Sequence, residues 1–109
     1  MFVKNIDSNE LAQWLKTETP PRLIDVRTTS EMAQASIPGG IPLPLNTLPV
    51  RLNDIPKDEQ VVFYCRTGAR SAQACMYLAQ QGYDNVHNLH GGIVNWARHG
   101  LPIEPMLFN

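Results

Sequence analysis

The chain has 109 residues, a length at which a protein folds as one domain whose core needs no disulfide or metal. Its formal net charge of −1 excludes an overall positive field for nucleic acid or anionic membranes, so any anion-binding site must be local. No apolar run is long enough to span a membrane, and acidic residues come too early for a secretory signal. We therefore expect a cytoplasmic protein with no membrane or nucleic-acid partner.

The first half of the chain alternates predicted strands with short predicted helices. The run FVKNI predicts an edge strand, and Asp7 with Glu10 forms a capping-box pattern that starts a helix. RLIDV follows two prolines and predicts a buried strand, after which Thr28 and Glu31 repeat the capping pattern before a helix of one or two turns. Proline and glycine in IPGGIPLPLN leave room only for a short strand near residues 41–43.

The second half continues the alternation. TLPVRLNDI predicts a short helix with Pro49 in its first turn, and VVFYC, apolar on both faces, predicts a central parallel strand. We expect a helix from Ser71 to Gln81 that ends at a cap on Gly82. NVHNL predicts another strand, and GGIVNWARHG predicts a last helix closed by Gly100.

This order of elements predicts an α/β fold, with residues 1–109 forming a single domain. We expect a mainly parallel sheet of about five strands with helices on both faces. Ligands of such folds bind beyond the carboxyl ends of the strands, and Cys65 lies at such an end.

The loop CRTGAR, residues 65–70, has the composition of an anion cradle. A nucleophilic cysteine must be a thiolate, so its surroundings have to stabilise negative charge. Gly68 permits a turn that points backbone N–H groups inward, and the helix expected from Ser71 adds the positive end of its dipole. Arg66 and Arg70 add formal charge. A cysteine that ends an apolar strand is more often a small buried hydrophobe, but its neighbours here favour a thiol with a pKa of about 3.5–7.5.

Four motifs occur in a recognisable order. They are LIDVR at 23–27 with Glu31, IPGGIPLP at 37–44, CRTGARS at 65–71, and LHGGIVNW at 89–96 with GLPI at 100–103. Together they resemble the motifs of single-domain rhodaneses, proteins of the thiosulfate sulfurtransferase type. The resemblance covers nearly the whole chain and implies a rhodanese-like α/β domain. It departs from the family pattern at Ala35 and Ser36, where Gly-His is usual, and at Gly40, which replaces alanine.

The resemblance also implies an activity. Cys65 would carry a sulfane sulfur as a persulfide, taken from a small anionic donor such as thiosulfate and passed to cyanide or a thiol, without cofactor or metal. The resemblance implies that the donor is bound by the rest of the loop, namely Arg66, Thr67, Gly68, Ala69, Arg70 and Ser71. Ser71 is also expected to cap the helix and to contact the sulfur.

Two other functions stay open at this point. A sulfur relay, or a partner-binding module, would exchange persulfide with a sulfur-carrier protein instead of thiosulfate. Phosphatases and arsenate reductases with a related fold have five residues between cysteine and arginine, whereas four separate Cys65 from Arg70. The shorter ring favours a sulfur atom over a phosphoryl group, and the loop itself contains no general acid.

The remaining reactive side chains have structural interpretations. A reducing compartment would keep both cysteines as thiols, and Cys75 is expected to pack inward instead of acting as a resolving cysteine. His87 and His90 have the wrong spacing for one face of a strand, which argues against a metal site. Asp25 and Arg27 are predicted to form an ion pair or a loop tether, with no catalytic role.

Overall fold

The structure is a computed structural model that describes residues 3–108. In this part of the chain the strands are β1 (Asn5–Ile6), β2 (Arg22–Asp25), β3 (Ile41–Pro42), β4 (Val61–Tyr64) and β5 (Val86–Leu89). The α-helices are α1 (Ser8–Trp14), α2 (Thr29–Gln34), α3 (Ala69–Gln80) and α4 (Gly92–Arg98). Phe2, the first residue of the predicted edge-strand run, and the two chain-terminal residues of the predicted domain 1–109 lie outside the described residues.

The five strands form one sheet in the order β1-β5-β4-β2-β3, and every neighbouring pair is parallel. Side chains of the central strand β4 alternate between the two faces of the sheet. Val61 and Phe63 pack in the core that contains α3, whereas Val62 and Tyr64 pack in the core that contains α1 and α4. All four are buried, which is why this strand is apolar throughout. The predicted fold class is therefore confirmed.

Local sequence signals account for the starts of α1 and α2. At α1 the Asp7 carboxylate accepts from the Glu10 amide at 2.8 Å, and the Glu10 carboxylate accepts from the Asp7 amide at 3.0 Å. Thr28 and Glu31 form the same capping box at α2. The helix predicted in TLPVRLNDI is instead two 3-10 helices, Leu45–Val50 and Leu52–Asp54, because Pro49 lacks the N–H needed to continue a longer helix.

The parallel arrangement fixes where the chain can bind a ligand. The segments that follow β2, β4 and β5 all leave the sheet at its carboxyl edge. The loop that starts at Cys65 follows β4, between the residues after β2 on one side and those after β5 on the other. No helix within residues 3–108 is long and apolar enough to cross a membrane.

Candidate active site

The Cys65 sulfur lies in a cradle of loop N–H groups. Sγ accepts a hydrogen bond from the Gly68 amide at 3.1 Å, and the Ser71 hydroxyl oxygen is 3.4 Å away. Gly68 has a φ of +107°, a conformation that suits glycine and turns the chain back over the sulfur. The Cys65 residue is only 1% exposed, so it is shielded from bulk water.

One expectation about this loop is wrong. Helix α3 begins at Ala69 and its N-cap is Gly68, so Ser71 occupies the third helical position and does not cap the helix. The expected contact between Ser71 and the sulfur is present. The sequence misplaced the helix start because Gly68 has no capping side chain; the turn itself initiates the helix.

The cradle favours the thiolate. Burial raises the pKa of the Cys65 thiol, but the hydrogen bonds that the Ser71 hydroxyl and the amides of Ser71, Gly68 and Thr67 can donate to the sulfur outweigh it. The net pKa therefore lies below that of an ordinary cysteine. The cradle therefore increases the fraction of Cys65 that is present as the nucleophilic thiolate at a given pH.

Helix α4 packs against the cradle loop and fixes the direction of two of its carbonyl groups. The amides of Ile93 and Val94 donate to the carbonyl oxygens of Cys65 and Arg66, at 3.0 and 3.1 Å. With those carbonyls directed toward α4, the following amides are free to face the sulfur. The approach is so close that a Cβ at Gly92 would lie 2.3 Å from the Arg66 carbonyl oxygen. The glycine pair of LHGGIVNW is thus part of the site's support.

The two arginines of the loop have different environments. The Arg70 guanidinium donates two hydrogen bonds to the Glu31 carboxylate, with N–O distances of 2.7 and 2.8 Å, and so connects α3 to α2. The Arg70 hydrogen bond lowers the pKa of Glu31 to about 2, although burial opposes it. Arg66 is exposed and takes part in none of the ion pairs seen among residues 3–108. It lines a cleft of about 220 Å³ with residues of α2 and α4, including Glu31 and Val94. The side chains of Thr67 and Ala69 are exposed as well.

Asp25 and Arg27 form the predicted tether beside the site. Both are buried, and the closest N–O distance between them is 2.7 Å. Arg27 also donates to the Ala35 carbonyl oxygen at 2.7 Å and lies 5.5 Å from the centre of the Tyr64 ring. Ser36 joins the same region to the C-terminal segment through a backbone bridge to Glu104. Ala35 and Ser36, two of the three positions that depart from the family pattern, therefore help to hold the segment after α2.

Sequence reasoning missed Asn88. This residue of β5 is 3% exposed, and its side-chain oxygen accepts a short hydrogen bond from the Ser71 hydroxyl. Its side-chain nitrogen donates to Asn5 Oδ1 at 2.9 Å. The available signal was an asparagine next to an apolar residue at the end of a strand, because a buried amide has to find partners.

The other reactive groups lie outside the cradle. Cys75 is buried in the core around α3, where burial raises the pKa of its thiol to about 12. His87 contacts Gln60 at 2.8 Å and meets the Trp14 ring edge-on at 5.4 Å between ring centres. Among residues 3–108, no three His, Cys, Asp or Glu side chains are arranged to hold a metal ion.

Comparison with known proteins agrees with this geometry. A family model described as a rhodanese-like domain matches residues 7–99. The chain belongs to the rhodanese-like domain family. The match spans the cradle loop, α2 and α4, so these three elements of the candidate site lie within the rhodanese-like region. The resemblance inferred from the four motifs is thus confirmed.

Individual rhodanese-like relatives cover most of the chain. A sulfurtransferase from Allochromatium vinosum is 55% identical over 102 residues, which are 94% of this chain and 95% of that protein. The crystal structure of a rhodanese-like domain protein from Staphylococcus aureus has a TM-score of 0.84 at 36% identity, covering 94% and 99% of the two chains. The probable adenylyltransferase/sulfurtransferase MoeZ from Mycobacterium tuberculosis is 37% identical over 99 residues, which are 89% of this chain and 25% of MoeZ.

Proposed function

We propose that the protein is a sulfurtransferase in which Cys65 carries a sulfane sulfur from thiosulfate, or from a persulfide donor, to cyanide or a thiol. The observation that carries this proposal is the buried Cys65 sulfur with an inward-facing amide 3.1 Å away. Such a cradle stabilises a thiolate and equally a persulfide anion. The proposal is supported by the sulfurtransferase named among the relatives.

The reaction balances without an outside oxidant or reductant. The Cys65 thiolate attacks the outer sulfur of thiosulfate, the S–S bond of the donor breaks, and sulfite leaves with the electron pair. The protein then carries Cys65–S–S⁻. In the second half-reaction the acceptor attacks the outer sulfur, and the Cys65 thiolate is the leaving group. Ping-pong kinetics follow from this double displacement.

The loop side chains take different roles in this proposal. The Arg66 guanidinium, exposed beside the cleft between α2 and α4, binds the anionic end of the donor. Arg70 contributes positive potential while it is held by Glu31. The backbone of Thr67, Gly68, Ala69 and Ser71 surrounds the transferred sulfur.

Intact mass after brief incubation with thiosulfate tests the proposal. We expect wild type and Cys75→Ala to gain one sulfur atom, which cyanide removes, and Cys65→Ala to gain none. Cys75→Ala is the matched control because both thiols are free and buried. If Cys65→Ala gains the same cyanide-labile sulfur as wild type, Cys65 is not the carrier.

A sulfur relay is the second candidate, and the match to MoeZ favours it. There the similar region is only a quarter of a protein named for adenylyl transfer as well as sulfur transfer. A relay would load Cys65 from a protein persulfide and remain unloaded with thiosulfate. If neither donor loads the protein but phosphate or arsenate protects Cys65 from alkylation, the site belongs to oxyanion chemistry instead.

A further inference from the structure

A line of polar side chains runs from the edge strand to the cradle. Asn5 of β1 and Asn88 of β5 are paired in the register of the parallel sheet, so their side chains meet. Asn88 Nδ2 donates to Asn5 Oδ1 at 2.9 Å, and Asn88 Oδ1 accepts from the Ser71 hydroxyl. Ser71 in turn lies 3.4 Å from the Cys65 sulfur. Four side chains therefore connect an exposed strand with the buried thiol.

The hydrogen bonds in this line can run in only one direction. Asn5 Nδ2 donates to the Val3 carbonyl oxygen at 3.2 Å, which leaves Asn5 Oδ1 to face Asn88. An oxygen there requires a donor, so Asn88 presents its nitrogen to Asn5 and its oxygen to Ser71. Rotating the Asn88 amide would set oxygen against oxygen at one end. The Val3 backbone thus fixes the orientation of a side chain next to the active site.

This direction determines what Ser71 can offer to the sulfur. A hydroxyl has one proton, and here three acceptors surround it: Asn88 Oδ1, the Gly68 carbonyl oxygen and the Cys65 sulfur. The Asn88 oxygen is the nearest of the three. When the proton is on that bond, Ser71 presents only lone pairs to the sulfur. Lone pairs accept from a thiol S–H and repel a thiolate.

Ionisation of Cys65 therefore disturbs the line. If the Ser71 proton turns toward the thiolate, the buried Asn88 oxygen loses its donor. If the proton stays on Asn88, the thiolate has the loop amides but not the hydroxyl. We propose that Asn88 is a positioning residue that holds the Ser71 proton away from Cys65 and so sets the fraction of Cys65 present as thiolate.

The inference rests on the proposed function for its meaning, because the same thiolate is nucleophile and leaving group. A lower thiol pKa speeds departure of the Cys65 thiolate but weakens its attack on the donor. Asn88 would keep the pKa of the Cys65 thiol at a value that allows both attack on the donor and departure from the persulfide. The substitutions below leave in place the charged groups beside the cradle, which are Arg66 of the loop, Arg70 of α3 with its partner Glu31 of α2, and the pair Asp25 and Arg27 at β2. They also leave in place His90, which follows β5 in the chain.

The test is the pH dependence of Cys65 alkylation by iodoacetamide in the full-length protein, with the labelled cysteine identified by peptide mass. Asn88→Leu frees the Ser71 proton for the thiolate, so its midpoint is expected about one pH unit below wild type, a tenfold rise in thiolate at a given pH below the midpoint. Asn88→Asp binds the proton more strongly and adds negative charge, so its midpoint is expected above wild type. In a Ser71→Ala background, Asn88→Leu is expected to leave the midpoint unchanged.

A purely structural role for Asn88 gives the opposite result. Loosening the cradle would weaken the amide hydrogen bonds to the sulfur, so Asn88→Leu would raise the midpoint toward that of an ordinary thiol, and that outcome overturns the proposal. A downward shift that persists in the Ser71→Ala background overturns it as well.

A second variant covers the case in which Asn88→Leu does not fold. Asn5→Ala changes only an exposed residue of β1 and releases the Asn88 amide to rotate. Its midpoint is expected below wild type, and an unchanged midpoint overturns the proposal. Because alkylation needs no sulfur transfer, these results are separate from the thiosulfate loading that tests the proposed function.

Discussion

Replacing Gly92 with alanine tests the support that α4 gives to the cradle. The new Cβ would lie 2.3 Å from the Arg66 carbonyl oxygen and 2.6 Å from the Cys65 carbonyl oxygen. Nonbonded atoms prefer about 3.5–4.0 Å, so the loop and the helix must separate by roughly 1 Å. Both atoms belong to backbone, and neither can turn aside as a flexible side chain would.

Two costs add in this variant. Gly92 has a φ of +60°, and a residue with a Cβ loses about 1–2 kcal/mol in that conformation. Overpacking against the loop backbone adds about 1–3 kcal/mol. We expect Gly92→Ala to lower the free energy of unfolding by about 2–5 kcal/mol, a large part of the 5–15 kcal/mol usual for a domain. The displaced amides also weaken their bonds to the sulfur, so the alkylation midpoint of Cys65 should rise.

Gly100→Ala is the matched control. Gly100 has a similar φ of +71°, but a Cβ there would meet nothing within 4 Å. It therefore incurs the backbone cost without the clash, and Cys65 should keep its alkylation profile. Urea unfolding of both variants, with alkylation of Cys65 in the native state, separates the two costs. Equal stability of the two variants, together with a normal Cys65 profile in Gly92→Ala, would refute the account of the α4 contact.

Three further outcomes are expected. Glu31→Gln removes an ion pair that stabilises the folded state above the ordinary pKa of 4.5, and this stabilisation is lost as pH falls toward the folded pKa of about 2. The variant should therefore have a free energy of unfolding about 0.2–1 kcal/mol below wild type near neutral pH, and this deficit should shrink in acid. A deficit that does not change with pH would contradict this prediction. Because burial raises the pKa of Cys75 to about 12, iodoacetamide should label Cys65 in the native protein and Cys75 only after denaturation; labelling of Cys75 in the native protein would contradict this. Arg66→Gln should raise the thiosulfate concentration for half-maximal loading about tenfold, because the donor loses one charge-assisted hydrogen bond. Arg98→Gln, which changes another exposed arginine, is the control and should leave that concentration unchanged. Equal effects of the two substitutions would show that Arg66 does not bind the donor.

Features encoded by neighbouring residues were predictable from the sequence. The capping boxes at Asp7 and Thr28 each involve residues three apart, and the uniform apolarity of VVFY identified the central strand. The loop's composition likewise indicated the cradle before its geometry was known. The predicted start of α3 was wrong because Gly68 initiates the helix through its backbone conformation. Glycine has no capping side chain that would indicate a helix start in the sequence.

Features that depend on distant residues were not predictable. Asn88 meets Asn5 across 83 positions of sequence and Ser71 across 17, so nothing local shows that the three form a line. The pairing of Arg70 with Glu31 joins residues 39 apart, so the sequence did not show that the two arginines of the loop have different environments. Strand order decides these contacts, and strand order follows from packing of the whole sheet.

The contact between α4 and the cradle has a consequence for synthesis, because the cradle needs residues that are made after it. The loop carbonyls of Cys65 and Arg66 are held by amides of Ile93 and Val94, which leave the ribosome nearly thirty positions later. Before that part of the chain docks, we expect Cys65 to have the pKa of an ordinary thiol, because the amides that stabilise its thiolate are not yet held in place. Reactivity at Cys65 thus reports that the sheet and its final helix are assembled, and a ribosome-bound chain that ends before Gly92 should lack it.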